Sequence, residues 1–430
     1  VAEGGEFSGI HLAFLGHGQQ QPGERMIYLF GNCQMEFLGR ALAGAGLASE
    51  FRPLATPLGP LSASGRVPPE LLEWAARFPL EAYLHGRTLK NQFQAITPDD
   101  PAPELFVVNL FHENEPLFAH EDGWLFFVDP AAWTAEPAFE AWMKARFRQV
   151  KLPAMDYLNR WAQFLAALRA AYPHTPMLLG TQLSHYPAFG PEPYSYLACW
   201  ASAWREAGPF LHALAVELGG CHLLEADRAF AGAWNGSNAE GGNDMDLHCP
   251  FLRVEVAGEP GRARLVSMKR DLEHVGPLWP ALAAKVKGFL ETGRLCWSAA
   301  EEPPPEWAKP YAPRPLDPGR MRALLSTGGN YDAAGAVNRF FHEPGTDFGP
   351  LLAECAGFMP VCHHTLHMVH RWAMLRPSPA LARWCDAQEG KAEGFTANGE
   401  EFRRRYVARV REIRELALGR APGGAAPTAR

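Results

Sequence analysis

Between residues 26 and 293 the apolar positions alternate between short unbroken runs and helical spacing. "MIYLF" (26–30) reads as a strand buried on both faces, and "QMEFLGRALAGAG" (34–46) as a helix ending on glycines. Residues 52–66, rich in Pro, Gly and Ser, read as loop. "PPELLEWAARF" (68–78) is an amphipathic helix opened by prolines, and "EAYLHG" (81–86) is expected as a short second strand. "ELFVVNLF" (104–111) is a third strand, "GWLFFVDP" (123–130) an extra short strand, and "PAFEAWMKARFRQV" (137–150) a helix. The amphipathic helix 155–173 leads into a fourth strand, "PMLLGTQLSHYP" (176–187). A helix over 194–220, interrupted near Pro209, leads into a fifth, "CHLLEAD" (221–227).

A Gly- and Asn-rich loop follows, with residues 235–243 at its centre. Two alternating runs around "GEPG" (251–269) then predict a β-hairpin, and 276–293 a closing helix. Strands alternating with helices imply an α/β domain over 26–297, a mainly parallel sheet covered on both faces. Residues 298–319 form a proline-rich linker, 320–418 a helical C-terminal region, and 419–430 a disordered tail. Residues 1–25 read as a flexible leader, lacking the basic and apolar regions of a signal peptide.

Composition narrows the partners. Of the 430 residues, 47% are hydrophobic and 20% charged, which permits a sizeable core. The formal net charge of −7 argues against a nucleic-acid scaffold. No apolar stretch reaches the length of a membrane span. Eight scattered cysteines without a CxxC pair read as free thiols in a reducing, cytoplasmic compartment.

The candidate chemistry begins at Cys33, where the first strand hands over to a helix. Amides at a helix N-terminus lower a thiol's pKa and can donate to an oxyanion. Downstream, "RDLEHVGPLW" sets Asp271 and His274 three residues apart, a spacing that lets a carboxylate orient an imidazole toward a nucleophile. The alternative for the same two residues is a cap on the closing helix.

This layout resembles the SGNH (GDSL-like) hydrolase superfamily, in which the nucleophile follows the first strand and an Asp-x-x-His block precedes the last helix. Here "FGNC" stands at the nucleophile block with cysteine in place of serine, and "RDLEH" at the last. Gly86 in "LHGR" stands for the family's second-block glycine. In "LFHENEP", Asn114 matches the third-block asparagine, but His112 and Glu115 replace its glycine and aspartate. Asn114 fits an Asx-turn equally well. The "GNCQ" tetrad is similar to a bacterial family linked to surface polysaccharide synthesis, whose members are thought to be coenzyme A-binding acetyltransferases.

The resemblance implies a three-layer α/β/α domain and an acyltransferase or esterase. Cys33 would be the nucleophile, His274 the base, and Asp271 its orienter. Gly86, Asn114, Asn32 and Gln34 would bind the oxyanion or substrate. Coenzyme A thioester would be a co-substrate, not a bound cofactor, and the acceptor a carbohydrate or small hydroxylated molecule. The competing expectation is a non-catalytic SGNH-like module that binds a glycan or partner.

In "CHHTLHMVHRW", His363, His367 and His370 share one helix face. That spacing suits zinc, or a polar face packed on other protein. The apolar run "FGPLLAECAGFMPVC" predicts that the C-terminal region docks on the α/β domain or forms a homodimer contact.

Overall fold

The computed structural model describes residues 26–31, 34–53, 73, 102–109, 117–120, 125–126, 137–150, 153–185, 197–239, 252–270, 276, 278–303, 317–394 and 399–419. The chain divides into two compact units. One draws on residues 1–186, 196–233 and 278–305, the other on 187–195, 234–277 and 306–430.

The strands of the first unit are β1 (Ile27–Gly31), β2 (Ser49–Pro53), β3 (Leu105–Asn109), β4 (Leu117–His120), β5 (Leu125–Phe126), β6 (Phe147–Val150), β7 (Met177–Gly180) and β8 (Cys221–Leu224). Five of them form one parallel sheet in the order β2-β1-β3-β7-β8. Strands β5, β4 and β6 form a small antiparallel sheet. The helices are α1 (Gln34–Gly44), α2 (Pro137–Arg146), α3 (Ala154–Ala171), α4 (Leu197–Leu218), α5 (Ala226–Ala239), whose residues from Trp234 onward fall in the second unit, and α6 (Leu278–Thr292).

Every residue of β1 and β3 is buried, as an unbroken apolar run requires when helices cover both faces. Strand alternation divides the side chains between two layers. Tyr28, Phe30, Phe106, Val108, Met177 and Leu179 pack with Trp161, Phe164 and Leu168 of α3 and with Leu211 and Leu214 of α4. On the opposite face Leu29 lies against Gly39 of α1, and His222 against Phe289 of α6 with ring centroids 5.0 Å apart. Phe37 of α1 stacks on Trp279 of α6 at 5.7 Å and joins that layer. The expected helix–sheet–helix arrangement is present.

Several elements differ from expectation. The second position in the sheet belongs to Ser49–Pro53; 81–86 lies outside the described residues. Strand β2 is polar because it is an edge: Arg52 pairs with Glu50 at 3.3 Å and lies 3.8 Å over the Tyr28 ring, and Pro53 ends the ladder. The helix expected over 137–150 stops at Arg146, since Phe147–Val150 pairs antiparallel with β4. Pro209 does not interrupt α4: its ring is exposed, while Ala207, Leu211, Leu214 and Ala215 hold the helix to the sheet. The helix Ala226–Ala239 takes in residues 226–227, expected to end the fifth strand, and 233–239, where Gly, Ser and Asn suggested loop. Burial of Ala226, Ala229, Phe230 and Trp234 outweighs the weak propensity of its polar half.

The second unit contains the hairpin β9 (Leu252–Ala257) and β10 (Arg264–Arg270), with α7 (Pro318–Leu325), α8 (Asn330–Arg339), α9 (Gly349–Cys355), α10 (His363–Leu375), α11 (Leu381–Glu393) and α12 (Gly399–Ala417). The hairpin, expected within 26–297, belongs to this unit. Leu252, Val254 and Met268 enter the core formed by the helices, and the turn donates from Gly261 N to Met374 O at 3.0 Å. Phe340, Phe341 and Phe348 surround Trp372, and Phe340 and Phe348 stack at 4.2 Å. Lys391 Nζ donates to the carbonyls of Ala356 and Met359, just beyond α9. Of the run 348–362, Phe348, Leu352, Cys355, Ala356 and Met359 are buried in the core of this unit, whereas Phe358 is exposed. No helix among the described residues is long and apolar enough to cross a membrane.

Trp372→Ala should destabilise the second unit by about 3–5 kcal/mol, through lost transfer energy and the cavity left among three phenylalanines. Phe358→Ala, at a side chain 62% exposed, should change stability by less than about 0.5 kcal/mol. Chemical denaturation of both variants checks the pair.

Candidate functional site

The sheet order has one reversal. From β1 the chain adds β2 on one side and then β3 on the other. Open α/β sheets bind ligands in the crevice outside the carboxyl ends of the two strands at such a switch point. Here those ends are Gly31 and Asn109.

Gly31 has φ +147°, a conformation that favours glycine. A Cβ on it would lie 2.8 Å from the Asn109 Cβ and 3.0 Å from Met35 Cγ, so there is no room for a side chain. Gln34, the first residue of α1, is buried, and its Oε1 accepts a 2.9 Å hydrogen bond from Asn109 Nδ2. The end of β1 and the start of α1 are thus tied to the end of β3, by the close approach of Gly31 to Asn109 and by a buried amide pair. The sequence pointed to Gln34 and missed Asn109. Its only signal was an asparagine at the last position of a wholly apolar strand.

Of the other residues singled out, Asn32, Cys33, Gly86, Asn114, Asp271 and His274 lie outside the described residues. Asn32 and Cys33 are the two residues between Gly31 and Gln34. Gly86 follows a segment other than the observed second strand, which ends at Pro53.

A second cluster at the carboxyl edge was not anticipated. Asp227, in the first turn of α5, accepts from Ser184 N at 2.6 Å, from His185 N at 2.8 Å and from Ser184 Oγ at 2.6 Å. His185 Nδ1 lies 3.0 Å from Ser184 Oγ and 3.4 Å from Asp227 Oδ2. Thr181 Oγ1 accepts from Ala226 N at 3.0 Å, so the loop after β7 is fastened to the start of α5. A carboxylate that faces Nδ1 orients the ring and leaves Nε2 for a reacting group. The signal was "SHY" after one strand and "EAD" after the next, residues far apart in sequence.

The histidine face of α10 does not gather into a metal site. His363 packs edge-on to Phe402 with centroids 4.4 Å apart. His367 Nδ1 lies 3.5 Å from Arg371 Nη1, and His370 Nε2 lies 3.3 Å from Arg409 Nη1. Burial, aided by Arg371, pushes His367 down to about 3; burial, aided by Arg409, pushes His370 down to about 4. Among the described residues no group of three His, Cys, Asp or Glu side chains is placed to hold a metal ion.

Glu36, in the first turn of α1, carries a displaced carboxyl. Burial pushes it up to about 7 and outweighs the opposing pull of Arg40, whose guanidinium sits 3.1 Å away but is 39% exposed. Between 4.5 and about 7 the folded protein keeps a proton that the unfolded chain releases, so this group makes stability fall as pH rises through that window. Relative to wild type, Glu36→Gln should therefore gain stability between pH 4.5 and pH 8, on the order of 1–3 kcal/mol, in denaturation curves at the two pH values. Gly31→Ala should cost about 1–3 kcal/mol in the same assay, from strain and collision with Asn109. Set against known proteins, the chain matches no family model, no curated protein and no solved structure.

Proposed function

We propose that the protein is an acyltransferase or esterase of SGNH-like type, acting on a carbohydrate or small hydroxylated substrate through Cys33. What supports this is that β1 ends at Gly31 and α1 begins at Gln34 beside the β1/β3 switch point, with Gly31 against Asn109 and Gln34 bonded to it, and that the two residues between them in the sequence are Asn32 and Cys33. A thiol at this position directly precedes the first turn of α1, where the helix's free amides favour a thiolate. As a thiolate, Cys33 attacks an acyl carbonyl and displaces the leaving group, coenzyme A thiolate in a transferase. The resulting thioester passes its acyl group to an acceptor hydroxyl or to water. His274, oriented by Asp271, takes the acceptor's proton and returns one to the leaving group. His185 is the second candidate for that base, because Asp227 and Ser184 face its Nδ1 at the same sheet's carboxyl edge. Glycine and asparagine amides hold the oxyanion; removing one such donor typically costs about 3–4 kcal/mol in the transition state.

A non-catalytic glycan- or partner-binding module is the second reading. His112 and Glu115 favour it, standing where the resembled family has glycine and aspartate.

Incubation with acetyl-coenzyme A and, separately, with an activated ester, followed by intact-mass and fragment analysis, should show one acyl group on Cys33. Cys33→Ala should abolish it. Iodoacetamide near pH 7 should label Cys33 faster than exposed Cys296, since burial raises the thiols of Cys221 and Cys355 and pushes Cys385 up to about 12. Slower labelling in either His274→Ala or His185→Ala identifies the base. No acyl capture together with equal labelling rates supports the binding module.

A further inference from the structure

The segment after β7 is fastened to the start of α5 at two points. Thr181 Oγ1 accepts from Ala226 N, and Asp227 Oδ1 takes the backbone N–H groups of Ser184 and His185. The turn that carries Asp227 is anchored in its own right. The next residue, Arg228, donates to Glu302 Oε1 and lies 5.1 Å over the Trp297 ring, and Lys285 of α6 approaches the same ring at 4.6 Å. Ser184, His185 and Asp227 therefore meet on a frame tied to both α5 and α6.

The hydrogen bonds of this cluster fix where the imidazole proton sits. Ser184 Oγ spends its only hydrogen on Asp227 Oδ2 at 2.6 Å, so toward His185 it is an acceptor. Asp227 Oδ2, 3.4 Å from His185 Nδ1, is an acceptor as well. Facing both, and 3.0 Å from Ser184 Oγ, Nδ1 holds the proton of the neutral ring and leaves the lone pair on Nε2. Nε2 has no partner among the described residues, and the side chain is 31% exposed. A ring held in one tautomer, with an accessible lone pair, is set to take a proton from a bound group.

The sheet places this ring on the edge where β1 ends. Phe30 of β1 lies opposite Val108 of β3, which lies opposite Leu179 of β7. The strands that precede Cys33 and His185 thus end level, two strand spacings or about 10 Å apart. We propose that His185 is the base that takes the proton of the acceptor hydroxyl, with Asp227 and Ser184 as the residues that position it. This rests on the acyl-transfer reading and assigns one of its steps. The acceptor's O–H proton passes to Nε2 as its oxygen attacks the thioester carbonyl of acyl-Cys33. The new C–O bond forms, the C–S bond breaks with its electron pair going to Cys33 as thiolate, and the imidazolium returns its proton to solvent.

Acetylating the full chain with p-nitrophenyl acetate, whose leaving group departs without a proton, isolates this step. Intact-mass measurement then follows the decay of acetyl-Cys33 with glycerol as the acceptor. In His185→Gln the acetyl form should outlive that of wild type by at least about 100-fold. In His185→Ala added imidazole should restore part of the rate, a rescue that loss of a packing contact does not allow. Asp227→Asn should slow the decay at least about tenfold and shift the His185 proton toward Nε2, read from the ring's ¹⁵N resonances. Ser184→Ala serves for the same two readings if Asp227→Asn is unfolded. Decay at the wild-type rate in His185→Gln overturns the inference and leaves the base to His274, and a His185→Gln protein that resists acetylation overturns the assignment to this step. Unchanged ring resonances in Asp227→Asn remove its positioning role. Failure of the wild type itself to be acetylated at Cys33 overturns the acyl-transfer reading, and this inference with it.

Discussion

The pairing of β1 with β3 constrains the rest of the first unit. All ten positions are buried, so no backbone group in either strand can turn to water, and both faces must be covered. The cover is α3 and α4 on one side and α1 and α6 on the other. The same pairing brings Gly31 beside Asn109, which leaves no volume for a side chain and positions α1 to start with Gln34 in reach of the Asn109 amide. The candidate site is therefore a consequence of core packing at the point where the strand order reverses.

The second unit has a different organising centre. Trp372 and its three phenylalanine neighbours lie in a continuous apolar core that also takes in the hairpin. Among its buried polar groups, Gln388 pairs with Tyr406, and Lys391 with the carbonyls after α9. On α10, Arg371 donates to Val254 O of the hairpin and His370 faces Arg409 of α12.

Sequence alone determined the parts whose signal is local. Unbroken apolar runs marked β1, β3 and β7, since a strand buried on both sides leaves no polar positions. Helical spacing marked α1, α3, α6 and the helical C-terminal region, and "GEPG" between alternating runs marked the hairpin. Gln34 was legible as a candidate because it directly follows "GNC" in the sequence. Only the tertiary structure decided the rest. Edge strand β2 has a polar sequence that becomes a strand through pairing with β1. Phe147–Val150 leaves the helix because β4 offers it a ladder, and α5 forms because burial of Phe230 and Trp234 overrides its glycine and asparagine. Asn109 and the Ser184–His185–Asp227 cluster gain meaning from residues 75 and 43 positions away, and such separations leave no periodic trace in the chain. The histidines of α10 show the same limit. Their spacing placed them on one helix, but their neighbours, Phe402 and Arg409 from α12 and Arg371 from α10 itself, were decided by packing.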